Sequence, residues 1–267
     1  MGETSIDLQS VDQSTTSDSQ RVILSLVKQP LVSTQDSANR STAIADGLRR
    51  LGASQPSEGQ VEGFLWDLWM VMVDVAYLVP PDHPWQDVLV EAVKNLQQTG
   101  GRVGTQDNDE PFLWSNLPKL NDYLLDKWFD PTELEEWSPE DVDAWKNLNS
   151  FASRLITPSF HPWLHFSQWQ LKSALEDETP QGAVLDSRLW VATEWVLRCG
   201  ELVFRLEGLN LGDSISGEGL RQLSAWKDRL AELEQQSEAL ELPPATAQRA
   251  KLTAEKMAEI EGNARRS

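Results

Sequence analysis

The spacing of apolar residues along the chain predicts helices throughout. In most segments the apolar residues recur at three- and four-residue steps, which places them on one face of a helix. The predicted helices span residues 34–51, 57–79, 82–99, 120–128, 138–157, 162–175, 185–206, 220–233 and 246–260. The period-two alternation of a half-buried strand is missing. We therefore predict an all-α fold, a single irregular bundle of about eight or nine helices.

Two of the predicted helices are apolar around most of their circumference. One covers residues 61–79, where Asp67 and Asp74 are the charged residues after Phe64, and the other covers residues 185–206. A helix without a wide polar face is stable only when neighbours surround it. We expect these two helices at the centre of the bundle.

The two ends of the chain differ from its middle. Residues 1–20 are rich in Ser, Thr, Asp and Gln, so we predict an N-terminal tail over residues 1–33 that is disordered or loosely docked. The helical domain is expected over residues 34–241. Pro243-Pro244 then separates a C-terminal helix, within residues 242–267, that packs on this domain or extends from it.

Charge and composition exclude several classes of protein. The 267 residues include 42 acidic and 23 basic side chains, for a formal net charge of −19. Such a charge opposes binding to nucleic acid and to anionic membranes, and it suits a basic protein partner or a homo-oligomer. The acidic residues are densest between Glu110 and Asp143. The start of the chain has neither the basic nor the apolar region of a secretion signal, so we expect a cytoplasmic protein, with the nucleus as the alternative.

No motif in the sequence identifies a reaction, so whether the protein is an enzyme stays open. Residues 212–218 have the two glycines of a phosphate-binding loop, but Glu218 stands where that loop needs Lys. His161 and His165 have the spacing of metal ligands on a helix, yet Pro162 makes His161 a cap residue. One Cys and three His are also too few to supply the ligands of a Cys-rich zinc site. We therefore expect no metal and no cofactor.

The candidate binding residues lie on and just after the predicted helix 57–79. Asp67 and Asp74 are seven positions apart, hence nearly in line on one helix face, and acids on an apolar helix must be paired or face a cavity. An ion pair or a hydrogen bond is one interpretation of these acids. The other is an apolar ligand pocket lined by Trp66, Asp67, Trp69, Asp74 and His83. Core packing is the alternative role for the tryptophans.

Several segments also resemble a known family. They are Phe64-Leu65-Trp66-Asp67-Leu68-Trp69, the stretch from Val79 to Asp87 with its Asp82-His83-Pro84 turn, Trp145–Leu155, Trp190–Phe204 and Trp226-Lys227-Asp228-Arg229. Together they resemble, over roughly residues 58–260, a fungal family known as domain of unknown function 3632. The resemblance implies a filamentous-fungal source and an all-helical fold. It implies no activity and therefore no functional residues, and Trp85 stands where the resemblance predicts a smaller residue.

Two functions fit these observations. The first is a binding or interaction protein without a recognisable catalytic motif, with a protein partner or a second copy bound through its acidic surface. The alternative is a small-molecule-binding accessory protein, or an enzyme, of fungal specialised metabolism that uses the Trp- and Asp-lined pocket. Neither function involves nucleic acid or a membrane.

Overall fold

The computed structural model describes residues 6–105, 110–178, 180–206, 215 and 217–266. Its regular structure over these residues is helical, apart from two isolated bridges, so the predicted all-α class is confirmed. The helices are α1 (Gln9–Ser14), α2 (Asp18–Leu31), α3 (Ser37–Ala53), α4 (Glu58–Leu78), α5 (Pro84–Thr99), α6 (Leu120–Lys127), α7 (Pro139–Leu155), α8 (His165–Leu175), α9 (Ala183–Leu206), α10 (Gly217–Gln235) and α11 (Pro244–Ala264). Short 3-10 helices lie at Trp114–Asn116 and Pro131–Glu133.

The N-terminal region, predicted as a disordered or loosely docked tail over residues 1–33, is largely helical where the structure describes it. Residues 9–31 form α1 and α2, which explains why the described residues hold eleven helices instead of eight or nine. Ser17 begins α2 with a capping box in which its side chain and that of Gln20 each bond the other's backbone. Ile23 and Val27 are fully buried. The polar composition of residues 1–20 hid α1, and the nearly consecutive apolar residues 22–27 hid the helical spacing of α2. Residues 1–5 lie outside the described part of the chain.

The chain divides into two compact units. The first comprises Met1–Pro131 and Pro139–Phe151, and the second comprises Thr132–Ser138 and Ala152–Ser267. Helix α7 belongs to the first unit through Phe151 and to the second from Ala152. Each unit has its own central helix, and these are the two that the sequence predicts to be central.

Helix α4 is the centre of the first unit. It begins where the Ser57 side chain accepts the Gln60 backbone N–H, and Pro80-Pro81 follows its end. It contacts α1, α2, α3, α5 and α6. Its buried residues occupy nearly every direction around the axis: Val61, Phe64, Leu65, Leu68, Trp69, Val71, Met72, Val73, Val75 and Ala76.

Polar contacts fix the end of α4 to its neighbours in the first unit. Gln86 is fully buried on α5, and its amide donates to the carbonyl oxygens of Val79 at 2.7 Å and Asn147 at 3.3 Å. Asn147 on α7 donates in turn to the Tyr77 carbonyl oxygen at 2.7 Å. The bonds to Val79 and Tyr77 satisfy carbonyl groups that the end of α4 leaves free, and together the three bonds connect this end to α5 and α7.

Helix α9 is the centre of the second unit, in contact with α8, α10 and α11. Its backbone departs from helical geometry at Cys199, with φ −142° and ψ 27°. Glu194 is 2% exposed and pairs with Arg198 on its own helix and with Arg249 on α11. Lys227 on α10 pairs with Glu261 on α11. Ion pairs thus link the C-terminal helix α11 to both α9 and α10.

Candidate functional site

Trp69 lies in the core of the first unit. Its side chain is fully buried, and its indole N–H donates to the Pro118 carbonyl oxygen at 2.6 Å. A buried tryptophan usually has its N–H paired in this manner. Packing and a satisfied donor therefore account for Trp69 without a ligand.

Asp67 holds the start of α2 against α4. One carboxylate oxygen accepts the Gln20 side-chain N–H at 2.8 Å, and the other accepts the Ser17 hydroxyl at 3.2 Å. Ser17 and Gln20 are the two residues of the α2 capping box. The Asp67 carboxylate therefore connects the start of α2 to α4, which is a structural role.

His83 serves as the N-cap of α5. Its Nδ1 accepts the Trp85 backbone N–H at 3.2 Å, and the two rings meet edge to face with their centroids 5.3 Å apart. Pro84 occupies the first position of the helix, as is common at helix starts. His83 and Trp85 thus form a local helix-start motif.

Asp74 differs from Asp67, two helical turns earlier, because its carboxylate has no partner in the part of the chain that the structure describes. It is partly buried, and among the described residues it accepts no hydrogen bond and forms no ion pair. Burial raises the pKa of this carboxyl group, and the positive charge of Lys127 partly offsets that rise. Tyr77 lies one turn further along α4, and its hydroxyl donates to the Lys127 carbonyl oxygen at 3.0 Å.

Helix α6 supplies the other side of this region. Tyr123 is 6% exposed, and its hydroxyl has no hydrogen-bond partner among the described residues. Its ring meets the partly buried Trp66 ring with centroids 6.0 Å apart, and the Lys127 ammonium lies 5.7 Å from the ring centroid. We call Trp66, Asp74, Tyr77, Tyr123 and Lys127 the Asp74 cluster.

The electrostatics of the Asp74 cluster favour neutral phenols beside a carboxylate. Burial first, and the Asp74 charge second, raise the pKa of Tyr77 and of Tyr123 above its ordinary value. Both hydroxyl groups therefore stay protonated at physiological pH and act as hydrogen-bonding groups. The cluster combines an acceptor of charge-assisted hydrogen bonds, phenol hydroxyls and aromatic surfaces, which is a composition suited to a small polar ligand.

The structure brings together two of the five residues predicted to line a pocket. Trp66 and Asp74 both border Tyr123, Trp66 through a ring contact and Asp74 through its charge, whereas the contacts of Asp67, Trp69 and His83 are those of helix caps and core. Sequence reasoning missed Tyr77, Tyr123 and Lys127. One signal was present: the chain has 12 tryptophans but only 2 tyrosines, and both tyrosines lie in this cluster.

The remaining sequence features that bear on chemistry are the single Cys, the spaced histidines and the glycine-containing loop. Cys199 is buried, its thiol donates to the Trp195 carbonyl oxygen at 3.4 Å, and burial raises its pKa to about 12. No group of three or more His, Cys, Asp or Glu side chains in the described residues is arranged to hold a metal ion. In the described part of the chain, no helix has the length and apolar character needed to cross a membrane. Most of the loop 212–218 lies outside the described residues.

Comparison with known proteins identifies the family and nothing more specific. Neither a curated protein nor a solved structure matches the chain. Residues 69–230 match a family described as protein of unknown function (DUF3632). That match covers more than half of the sequence and includes Asp74, Tyr77, Tyr123 and Lys127, while Trp66 lies just before it. The chain therefore belongs to the DUF3632 family.

Proposed function

We propose that this DUF3632 member is a binding protein whose Asp74 cluster holds a small organic molecule. The observation that carries the proposal is the Asp74 carboxylate, which is partly buried and unpaired among the described residues. The Tyr123 hydroxyl beside it is also buried and unpaired there. Two such groups in one cluster are more than packing alone requires.

The energetic argument is one of desolvation. Withdrawing a carboxylate from water is expensive unless it is paired, and Asp67 shows that this same helix can supply a partner. Groups with raised pKa values that lack such compensation concentrate at functional sites. A ligand that donates hydrogen bonds to Asp74 and Tyr123 would supply the missing interactions.

The geometry favours binding over catalysis. The cluster contains no Ser, Thr or Cys nucleophile paired with a base. Its two phenols have raised pKa values, which makes them weak acids and poor proton donors near neutral pH. Apart from proton transfer by the Asp74 carboxyl group, the chemistry that remains is hydrogen bonding and aromatic contact, which is that of recognition.

A thermal-shift screen of small organic molecules tests the proposal. We expect compounds that raise the melting temperature of the wild type and not of Asp74→Asn, because binding to the native state adds stability. Asp122→Asn is the matched control, since Asp122 is an exposed residue of α6 and its substitution changes the net charge equally. A screen in which every stabilising compound acts equally on both variants would contradict the proposal.

A protein partner is the second candidate function, favoured by the outer surface of α6. Leu125 and Phe129 are about half exposed, at 50% and 49%, and the exposed carboxylates of Asp122 and Asp126 lie close to them in sequence. An apolar patch rimmed by acids fits a partner with an apolar contact and basic flanks. Analytical ultracentrifugation and affinity capture from the host would test for such a partner. The double variant Leu125→Ser, Phe129→Ser should lose it. A protein that stays monomeric and captures nothing would contradict it.

An accessory role in specialised metabolism is the finer form of the small-molecule proposal. Its support is the aromatic and polar composition of the Asp74 cluster, which suits small aromatic compounds. Gene neighbourhood tests this role directly. Location within a biosynthetic gene cluster is the expected result, and scattered neighbours without biosynthetic enzymes would argue against it.

A further inference from the structure

The Lys127 side chain indicates what kind of ligand the Asp74 cluster accepts. Its ammonium lies 5.7 Å from the centroid of the Tyr123 ring, within the range of a cation–π contact. The same charge acts on the Asp74 carboxyl group. Lys127 is exposed and lies at the end of α6, so its long side chain can leave this position without disturbing the helix.

We propose that the ligand of the Asp74 cluster carries a protonated amine, and that the Lys127 ammonium, which lies over the Tyr123 ring, competes with the amine for that ring face in the free protein. This inference rests on the proposed function and specifies its ligand class. The ligand ammonium would donate to the Asp74 carboxylate and to the Tyr123 hydroxyl oxygen. The faces of the Tyr123 and Trp66 rings would contact the rest of the cation.

The hydrogen-bonding capacities of the cluster match an ammonium group. An ammonium has three donors and no acceptor, and the cluster offers the two carboxylate oxygens of Asp74 and the unpaired oxygen of Tyr123. The Tyr77 hydroxyl already donates to the Lys127 carbonyl oxygen, which leaves its oxygen available as a further acceptor. The cluster therefore offers several oxygen atoms that can accept a hydrogen bond from a ligand ammonium group.

The charges around the cluster disfavour an anionic ligand. Asp74 and Lys127 balance each other, and the carboxylate of Asp126 also acts on Tyr123. Together with the formal net charge of −19, these groups attract cations and repel a carboxylate- or phosphate-bearing ligand.

Three probes with the same phenyl ring test the inference by calorimetry on the full chain: 2-phenylethylamine, 2-phenylethanol and 3-phenylpropanoate. We expect the amine to bind more tightly than the alcohol, and the propanoate to bind weakest. Asp74→Asn should weaken amine binding about tenfold or more, since the charge-assisted hydrogen bond is lost. Asp122→Asn, the control for net charge, should change it much less.

Substitution of Lys127 should change amine affinity in the direction opposite to Asp74→Asn. Lys127→Gln should tighten amine binding about two- to fivefold, because the competing cation–π contact is removed. Lys251→Gln, at an exposed position on α11, is the matched control for the loss of one positive charge. Weaker amine binding by Lys127→Gln would overturn the assigned role of Lys127.

The outcomes separate the inference from the proposed function. If the alcohol or the propanoate binds at least as tightly as the amine, and Asp74→Asn abolishes that binding, the amine class is wrong and the binding site stands. If the amine does not bind the wild type, or binds Asp74→Asn equally well, the inference is overturned whatever the wider screen finds. Circular dichroism of each variant confirms that the comparison is made on folded protein.

Discussion

Asp67 and Asp74 lie two turns apart on α4, and only Asp67 has hydrogen-bond partners among the described residues. Asp67 meets the capping box of α2, whereas Asp74 lies near α6 with its carboxylate unpaired. The same residue type on one helix therefore has two different energetic roles. This contrast gives a matched pair of substitutions.

Asp67→Asn should destabilise the protein, by about 1–3 kcal/mol, because hydrogen bonds to a charged acceptor are lost from the start of α2. Asp74→Asn should leave the free energy of unfolding unchanged or raise it, because an unpaired carboxylate no longer has to be buried. Urea unfolding monitored by circular dichroism measures both. A destabilised Asp74→Asn variant would mean that Asp74 has a structural partner.

The raised pKa of Asp74 should make the free energy of unfolding depend on pH in a predictable direction. Its folded-state pKa is raised above the ordinary 3.8, so the folded protein binds this proton more readily than the unfolded chain. The penalty from Asp74 is fully present above the folded pKa and is removed as pH falls through that value towards 3.8. The stability advantage of Asp74→Asn over the wild type should accordingly be largest at neutral pH and shrink on acidification.

Glu261 should show the opposite behaviour. Hydrogen bonds from Lys227 and Arg265 lower its pKa below the ordinary 4.5. Its contribution to stability is present above pH 4.5 and is lost as pH falls through the lowered folded value. The difference in unfolding free energy between wild type and Glu261→Gln should therefore decrease below pH 4.5. A pH-independent difference would contradict the role of these two hydrogen bonds.

Arg249 should be one of the most sensitive positions of the second unit. It pairs with Glu194, donates to the Thr193 hydroxyl at 2.7 Å and lies 4.5 Å over the Trp190 ring. Arg249→Ala removes one of the ion-pair partners of the buried Glu194. Breaking a buried pair in this way costs about 3 kcal/mol.

Arg229→Ala is the matched control for Arg249→Ala. Arg229 forms an exposed ion pair with Glu232 one turn away, and such pairs contribute about 0–1 kcal/mol. Thermal and urea unfolding of the two variants provide the comparison. Similar losses of unfolding free energy in both variants would show that the Glu194–Arg249 pair contributes no more than an exposed ion pair.

Two glycines should respond to alanine in opposite directions. A Cβ on Gly52 would lie 2.8 Å from a Trp114 ring carbon and 3.0 Å from a Phe64 ring carbon, so Gly52→Ala should cost about 1–3 kcal/mol through overpacking. Gly63 lies within α4 with no heavy atom within 4 Å of a built Cβ. Gly63→Ala should stabilise the helix by about 0.5–1 kcal/mol. Unfolding free energies of both variants check the pair.

The local parts of the fold could be predicted from the sequence. Apolar periodicity located α3 to α11, and prolines and small polar residues located many of their ends. The even distribution of apolar residues on α4 and α9 indicated their central positions. The missed helices α1 and α2 have a physical cause: residues 1–20 are mostly polar, and the nearly consecutive apolar residues 22–27 do not show a three- and four-residue spacing.

The candidate site was harder to predict because it depends on contacts between distant segments. The partner that satisfies Asp67 comes from Gln20, 47 residues earlier, so the sequence could not indicate which acid would be left unpaired. Tyr123 and Lys127 approach Asp74 because α6 packs on α4. That approach depends on how the helices pack, which periodicity does not specify.

The confinement of both tyrosines to the Asp74 cluster makes this region spectroscopically isolated. Fluorotyrosine incorporated during expression would give a fluorine spectrum with two resonances, one from Tyr77 and one from Tyr123. Every chemical-shift change on titration would then report on this one region, without any mutation or attached dye. The 12 tryptophans, dispersed through the chain, offer no comparable selectivity.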